Sequence, residues 1–354
     1  MTTLSLPVSL GEAYDKLSIL DIKRTRIQDP SKVEHCQREY DAIQSLLPTG
    51  FEYEYRLLRW INESIWTLQD HVRSVGPTRE LLTQILDEND VRFRIKDRIN
   101  RLSASLLREQ KGYSPRRVFF LGHLGLGDLI NYVGAIRYYA LLYDEVVVVC
   151  KKHNIDNAQD FFADEPSVKF YPVESDHEIS PPYGASKQTF HDVVSKFDKV
   201  VLCGFHKNPS TFQWDGISDC FYHDMGIPLE IRKVFFKIPE SLSQLKYDGT
   251  FRFVHQTSST RTLPLVTWDI NDVFTIDPNT NLYAPDHPWY ALAQSYIGHR
   301  LSSYAWLIEH AEEVHVVNSS FACLAAYLPL QGRVARSYDR DTGLYLPGFT
   351  FNHR

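Results

Sequence analysis

Apolar residues recur at helical spacing through roughly the first hundred positions. Ser9-x-x-Glu12 has the form of a capping box, and Leu10, Ala13, Tyr14, Leu17 and Leu20 follow on one face, which predicts a first helix. Asp29-Pro30 breaks it, and Ser31-x-x-Glu34 offers a second capping box. After the Pro48-Thr49-Gly50 break, a third helix is predicted from Phe51 to Val75, stopped by Gly76-Pro77. Between Thr78 and Glu109 the pattern predicts one or two more helices, with Val91, Ile95, Ile99, Leu102 and Leu106 along one face. A face this apolar must pack on the rest of the chain or on a second subunit.

After Gly112 the period changes. VFFL (118–121), EVVVVC (145–150), VKFYPV (168–173) and KVVLCGF (199–205) are short apolar runs, rich in β-branched and aromatic residues, separated by helix-length segments. That rhythm predicts βαβ units and a parallel sheet covered on both faces. Residues 206–245, with several prolines, read as a connector. A second series then opens with FRFVHQ (251–256) and continues through DVFTID (272–277), a helix near 302–311, EVHVVN (313–318) and a helix from Ser320 to Leu328. The expected organisation is a helical region over 1–112, a first α/β domain over 113–245 and a second over 246–354.

Composition narrows the partners. The chain has 354 residues and a net charge of −6, so no global basic field draws it to nucleic acid or anionic lipid. The five cysteines are scattered with no CxxC pair, as expected of reduced thiols in a cytoplasmic protein. No basic-flanked apolar leader opens the sequence, and the longest apolar runs are too short for a transmembrane segment.

Chemistry concentrates at the ends of the predicted strands. RVFFLGHLGLGDLI carries glycines at 122, 125 and 127, then Asp128. The spacing G-x-x-G-x-G-D matches neither the dinucleotide fingerprint nor the P-loop. The loop nevertheless follows a first strand, where open α/β sheets bind ligands, and glycine lets backbone approach a ligand closely. Two readings stand for Asp128: a helix cap, or a reactive carboxylate at a helix start. In FVHQTSSTR a strand ends in Thr257, Ser258 and Ser259 and a basic residue, Arg261. In EVHVVNSSFACLAAYL a strand ends in Asn318-Ser319-Ser320 and runs into a helix, whose first-turn N–H groups suit an anion. His123 and His255 flank these loops, each a ligand contact or a ring bonded to backbone. Glu309 is a partner for ribose hydroxyls or an exposed helix charge. The Asp286-His287-Pro288-Trp289-Tyr290 cluster is a stacking surface for a nucleoside or a set of core anchors. No HExxH spacing or close Cys/His set suggests a metal.

GLGDLI and NSSFACLAAYL resemble the Gly-Asp turn and the Ser-containing turn of heptosyltransferase-type enzymes among the GT-B glycosyltransferases. The resemblance covers roughly residues 116–330. The whole chain is also similar to predicted glycosyltransferases of large DNA viruses of algae and amoebae, and LGEAYDKLSILDIKRTRI resembles a helical segment found beside sugar-modifying domains. The resemblance implies an α/β fold of two Rossmann-like domains facing a cleft, behind an α-helical N-terminal region. It implies transfer of a sugar from a UDP- or GDP-type nucleotide-diphosphate donor to an oligosaccharide or glycoprotein acceptor, with no cofactor. A base at Asp128 and the lack of a Glu-x₇-Glu pair in the α/β domains favour inversion, and the lack of a metal-ligating motif favours a reaction without metal. Asp128 is then the general base. Gly125, Gly127, His123, His255, Thr257, Ser258, Ser259, Arg261, Glu309, Asn318, Ser319 and Ser320 are candidate donor contacts. This chain departs from the family in having Asn318-Ser319-Ser320 for an Asp-Ser-Gly turn and Arg261 for a lysine. A homodimer through the helical region and a place in the cytoplasm, of the host if the source is viral, complete these expectations. The alternative is a non-catalytic nucleotide-sugar or glycan-binding protein, and a dinucleotide-dependent oxidoreductase is a third reading.

Overall fold

A computed structural model of the chain describes residues 7–107, 109, 116–210, 217–259, 262–331 and 334–339. The chain forms two compact units. One holds the four N-terminal helices together with Leu141–Asp144, and the other holds the remainder from Arg116 onward.

In the first unit α1 (Leu10–Arg26) starts where the sequence predicts, with Ser9 Oγ accepting from the Glu12 N–H at 3.2 Å; of the expected box only this half is present, and Glu12 Oε1 instead accepts from Lys96 Nζ at 2.7 Å. The second expected box is corrected. The cap of α2 (Pro30–Gln44) is Asp29, whose carboxylate accepts from the Ser31 and Lys32 N–H groups. Pro30 occupies the first helical position, where its missing N–H costs nothing. Helices α3 (Glu52–Val75) and α4 (Arg79–Leu102) pack with α1 around Leu17, Leu20, Leu58, Ile61, Ile95 and Ile99. The predicted stripe on α4 ends sooner than expected: Ile99 is buried, but Leu102 and Leu106 are exposed. The helix stops at Leu102, and the chain beyond it no longer follows that face.

The second unit is built from two parallel four-stranded sheets. The first contains β1 (Arg117–Leu121), β2 (Glu145–Lys151), β3 (Val168–Val173) and β4 (Lys199–Leu202) in the order β3-β2-β1-β4. Between these strands lie α5 (Leu126–Asn131), α6 (Val133–Leu142), α7 (Ile155–Asp160) and α8 (Lys187–Val194). Alternation along β1 shows why the run is apolar throughout. Phe119 faces Tyr171 and Phe197 on one side, and Phe120 faces Tyr132 and Tyr139 on the other. The expected connector is more than a linker, because it contains α9 (Ile217–Met225) and α10 (Ile231–Val234).

The second sheet contains β5 (Phe251–His255), β6 (Phe274–Ile276), β7 (Glu313–Val317) and β8 (Val334–Tyr338) in the order β6-β5-β7-β8. It is accompanied by α11 (Tyr290–Gln294), α12 (Ala305–His310) and α13 (Ser320–Tyr327). One face packs on Tyr304 and Phe321 through Phe253, while Val254 and Val317 on the other meet Leu263 and Leu265 of an extended segment. Asp286–Tyr290 is part of an anchor: His287 stacks on Tyr283, which stacks on Phe274. Among the described residues no helix is long and apolar enough to cross a membrane.

Candidate active site

In each sheet the strand order reverses once. The chain leaves β1 outward to β2 and β3 and returns on the other side as β4; it leaves β5 for β6 and returns as β7. Crevices open at the carboxyl ends of strands at such reversals, and this is where open α/β sheets take ligands. The three sequence stretches with candidate chemistry, after β1, β5 and β7, all begin there.

At the first reversal, β1 runs into Gly122 and His123. A Cβ on Gly122 would lie 2.8 Å from the ring of Tyr132, whose hydroxyl donates to the His123 carbonyl. Gly125 is the N-cap of α5, so Asp128 stands in the first turn and is not itself the cap. The Asp128 side chain is 24% exposed, and its carboxylate folds back over Gly125, where a Cβ would lie 2.8 Å from Oδ2. His123 is corrected as a ligand contact. Its ring is only 3% exposed, stacks on Phe205 with centroids 3.5 Å apart, and accepts the Phe205 N–H at Nε2 over 3.1 Å.

At the second reversal, Ser319 is extended and does not cap α13. Its hydroxyl meets His255 Nδ1 at 3.1 Å. The first-turn N–H groups of α13 are thus left without a side-chain cap from Ser319, and Ser320 opens the helix. His255 is 4% exposed, stacked on Phe321 and bonded to Ser319 through Nδ1. Asn318 is exposed and donates its N–H to the Tyr338 carbonyl at 2.7 Å. Thr257 pairs with Thr262 across the neck of a loop that contains Ser258 and the exposed Ser259. Arg261 lies outside the described residues.

These two ends meet. A Cβ on Gly127 would lie 3.2 Å from Cys323 Sγ and 3.5 Å from Ser320 Cα, so the first turn of α5 abuts the first turn of α13. Tyr327 donates to Asn131 Oδ1 at 3.1 Å and stacks on Phe236, which holds the two helices together. Farther along, Asp160 of α7 accepts from Arg300 at 2.7 Å and from Ser302 at 2.6 Å. The clearance given by Gly125 and Gly127 is therefore taken up by protein atoms rather than by a ligand. Glu309 is also corrected: it sits at the end of α12, just before the start of β7, at the opposite end of the sheet from the Ser319 turn. Among the described residues no cluster of three or more His, Cys, Asp or Glu could hold a metal ion.

One participant carried no sequence signal. Gly204, just past β4, has φ +64° and would place a Cβ 2.1 Å from His123 Nε2. Only glycine tolerates both that backbone and that approach.

No protein-family model matches the chain, and no curated protein matches it. Several solved structures are similar in part. The bacterial iron-containing dodecameric glycosyltransferase TibC of enterotoxigenic E. coli aligns with a TM-score of 0.41 and 13% identity over 70% of this chain; the chain spans 64% of that protein's length. The same heptosyltransferase in complex with ADP-D-β-D-heptose gives 0.40 and 13%, over 70% of each chain. E. coli heptosyltransferase WaaC with ADP gives 0.34 and 11%, over 64% of this chain and 93% of that one. With overlap this partial, the chemistry has to be argued from this chain's own side chains.

The buried histidines give the unit an acid limit. Burial pushes His123 to about 3, with His206 nearby adding to the effect, and pushes His206 to about 4 and His255 to about 3. The unfolded value is about 6.5. Below that pH the unfolded chain takes up protons that the folded chain refuses, so stability present above 6.5 is lost as pH falls toward 4. Each ring contributes up to about 1.4 kcal/mol per pH unit on the steep part. The urea midpoint at pH 5 is expected well below that at pH 7.5, with a smaller gap in His255→Phe, which keeps an aromatic ring on Phe321. Equal midpoints at the two pH values would rule this out.

Proposed function

We propose that the chain is a GT-B-type glycosyltransferase that moves a sugar from a nucleotide-diphosphate donor to a hydroxyl of a glycan acceptor, with inversion and without a metal. The observation that carries this reading is the abutment at Gly127 and Ser320. It sets a carboxylate that is about one-quarter exposed beside a helix N-terminus whose preceding Ser319 is bonded to His255 instead of capping the helix.

In this reading, Asp128 takes the proton as the acceptor oxygen bonds to the anomeric carbon. The bond from that carbon to the diphosphate oxygen breaks on the opposite face of the sugar. Negative charge grows on the departing diphosphate, where the N–H groups at the start of α13, the hydroxyl of Ser320 and the guanidinium of Arg261 receive it. Thr257, Ser258 and Ser259 supply further hydroxyls. Single displacement with a base gives inversion.

Calorimetry with UDP and GDP, alone and as sugar conjugates, tests the donor side. At least one diphosphate is expected to bind, and Arg261→Ala should weaken it by about tenfold or more, the loss of one charge-assisted contact. Stabilisation by NAD(H) with no response to either diphosphate would favour an oxidoreductase and sink the proposal.

A further inference from the structure

The ring of His123 lies near the carboxylate of Asp128, and its surroundings fix both its orientation and its tautomer. Stacking on Phe205 sets the ring plane, and Phe221 meets it edge-on at 4.8 Å. Because Nε2 accepts the Phe205 N–H, a neutral ring must carry its proton on Nδ1. That nitrogen lies 3.8 Å from Asp128 Oδ2. Two glycines make the arrangement feasible: Gly204 clears Nε2, and Gly125 clears the carboxylate.

We propose that His123 is a positioning residue whose Nδ1–H holds the Asp128 carboxylate in the orientation from which it takes the acceptor proton. The inference rests on Asp128 being the base. At 3.8 Å the contact is longer than a hydrogen bond; such contacts tighten when substrate engages. His123 touches no substrate and acts only through Asp128.

The other titratable groups facing this pair do not compete near neutrality. Tyr132, Cys203 and Cys323 feel the charge of Asp128, but burial raises all three, Cys323 to about 12, so each stays protonated. His206 lies edge-on to His123 at 6.0 Å and is kept neutral by burial.

Three variants of the full chain separate Nδ1 from Nε2. Asn restores a donor near Nδ1 but no acceptor for Phe205. Gln restores an acceptor near Nε2 but no donor for Asp128. Phe restores neither. Turnover of UDP- and GDP-sugars is followed as nucleoside diphosphate release, and the Asp128 carboxyl is titrated by carbon-13 NMR, which needs no substrate. His123→Phe and His123→Gln are expected to lose about 100-fold in kcat, the cost of a misplaced catalytic group, with donor KM little changed. In both, the Asp128 titration should move up as the Nδ1–H dipole is lost, by less than a formed hydrogen bond would give because the contact is 3.8 Å long without substrate. His123→Asn should stay within a few-fold of wild type with its titration unmoved. All variants keep His206, so it cancels from the comparison. If Gln retains activity and Asn does not, the ring serves only the Phe205 N–H and the inference fails. It also fails if all three leave the Asp128 titration unmoved. If instead Asp128→Asn retains turnover, the base assignment itself is wrong.

Discussion

Replacing Asp128 by Asn is expected to lower kcat by about 10² to 10⁴, the range for loss of a general base, while donor affinity and melting temperature stay near wild type. The substitution is nearly isosteric and removes only the ability to take a proton. The carboxylate is 24% exposed, so little burial energy changes. The N-cap of α5 is Gly125, so the helix does not depend on Asp128 as its cap. The diphosphate contacts proposed on described residues, Ser320 with the first-turn N–H groups of α13 and Thr257, Ser258 and Ser259, lie on other elements, so donor binding is expected to survive. Transfer measured under saturating donor, together with calorimetry and thermal unfolding of the same preparation, separates the readings. Unchanged turnover would remove Asp128 as base and leave a binding protein. Lost turnover with a large drop in melting temperature would point to a structural carboxylate.

Much of the scaffold could be read from the chain because parallel strands covered on both faces have to be apolar throughout. VKFYPV became β3 over the same residues, and VFFL, EVVVVC and EVHVVN each gave a strand to within about a residue at either end. Capping was harder to read. Ser31-x-x-Glu34 has the right letters, but Asp29 followed by Pro30 starts the helix two residues earlier. The prolines of 206–245 hid α9 and α10, since Pro punctuates helices as readily as linkers.

The site divides in the same way. Asp128 and the Ser319 turn stand out because strand-to-helix junctions are local in sequence. What surrounds them is not. His123 meets Phe205 across 82 positions, and His255 meets Ser319 across 64, and no spacing rule joins them. Gly204 looks like any glycine after a strand until its φ and the ring opposite are known. Glu309 is a different case, because connectivity alone puts a residue that precedes β7 at the end of the sheet away from the loops that follow β5 and β7.

The largest stability effect is expected at Asp15, in the helical unit. Asp15 is 3% exposed and accepts from Arg92 Nε at 2.9 Å and Nη2 at 2.5 Å, and from Asn62 Nδ2 at 2.9 Å. It therefore ties α1 to α3 and α4 at once. The pairing with Asp15 is the leading influence raising the pKa of Arg92, which stays charged whatever happens to its partner. Asp15→Ala leaves the Arg92 guanidinium without its carboxylate, while Asn62 Nδ2 keeps its bond to Ser18 Oγ at 2.8 Å. Breaking a buried pair from one side costs about 3–5 kcal/mol. A cavity of about 1110 Å³ runs past Asp15 and Arg92, so water can reach the abandoned charge and hold the loss near the lower figure. Urea unfolding followed by helical circular dichroism measures it. Asp15→Leu combined with Arg92→Met should recover much of the stability, because removing both charges also removes their desolvation cost. If the double variant is no more stable than Asp15→Ala, the unit depends on Asp15 for its bonds to Asn62 and not for its pairing with Arg92.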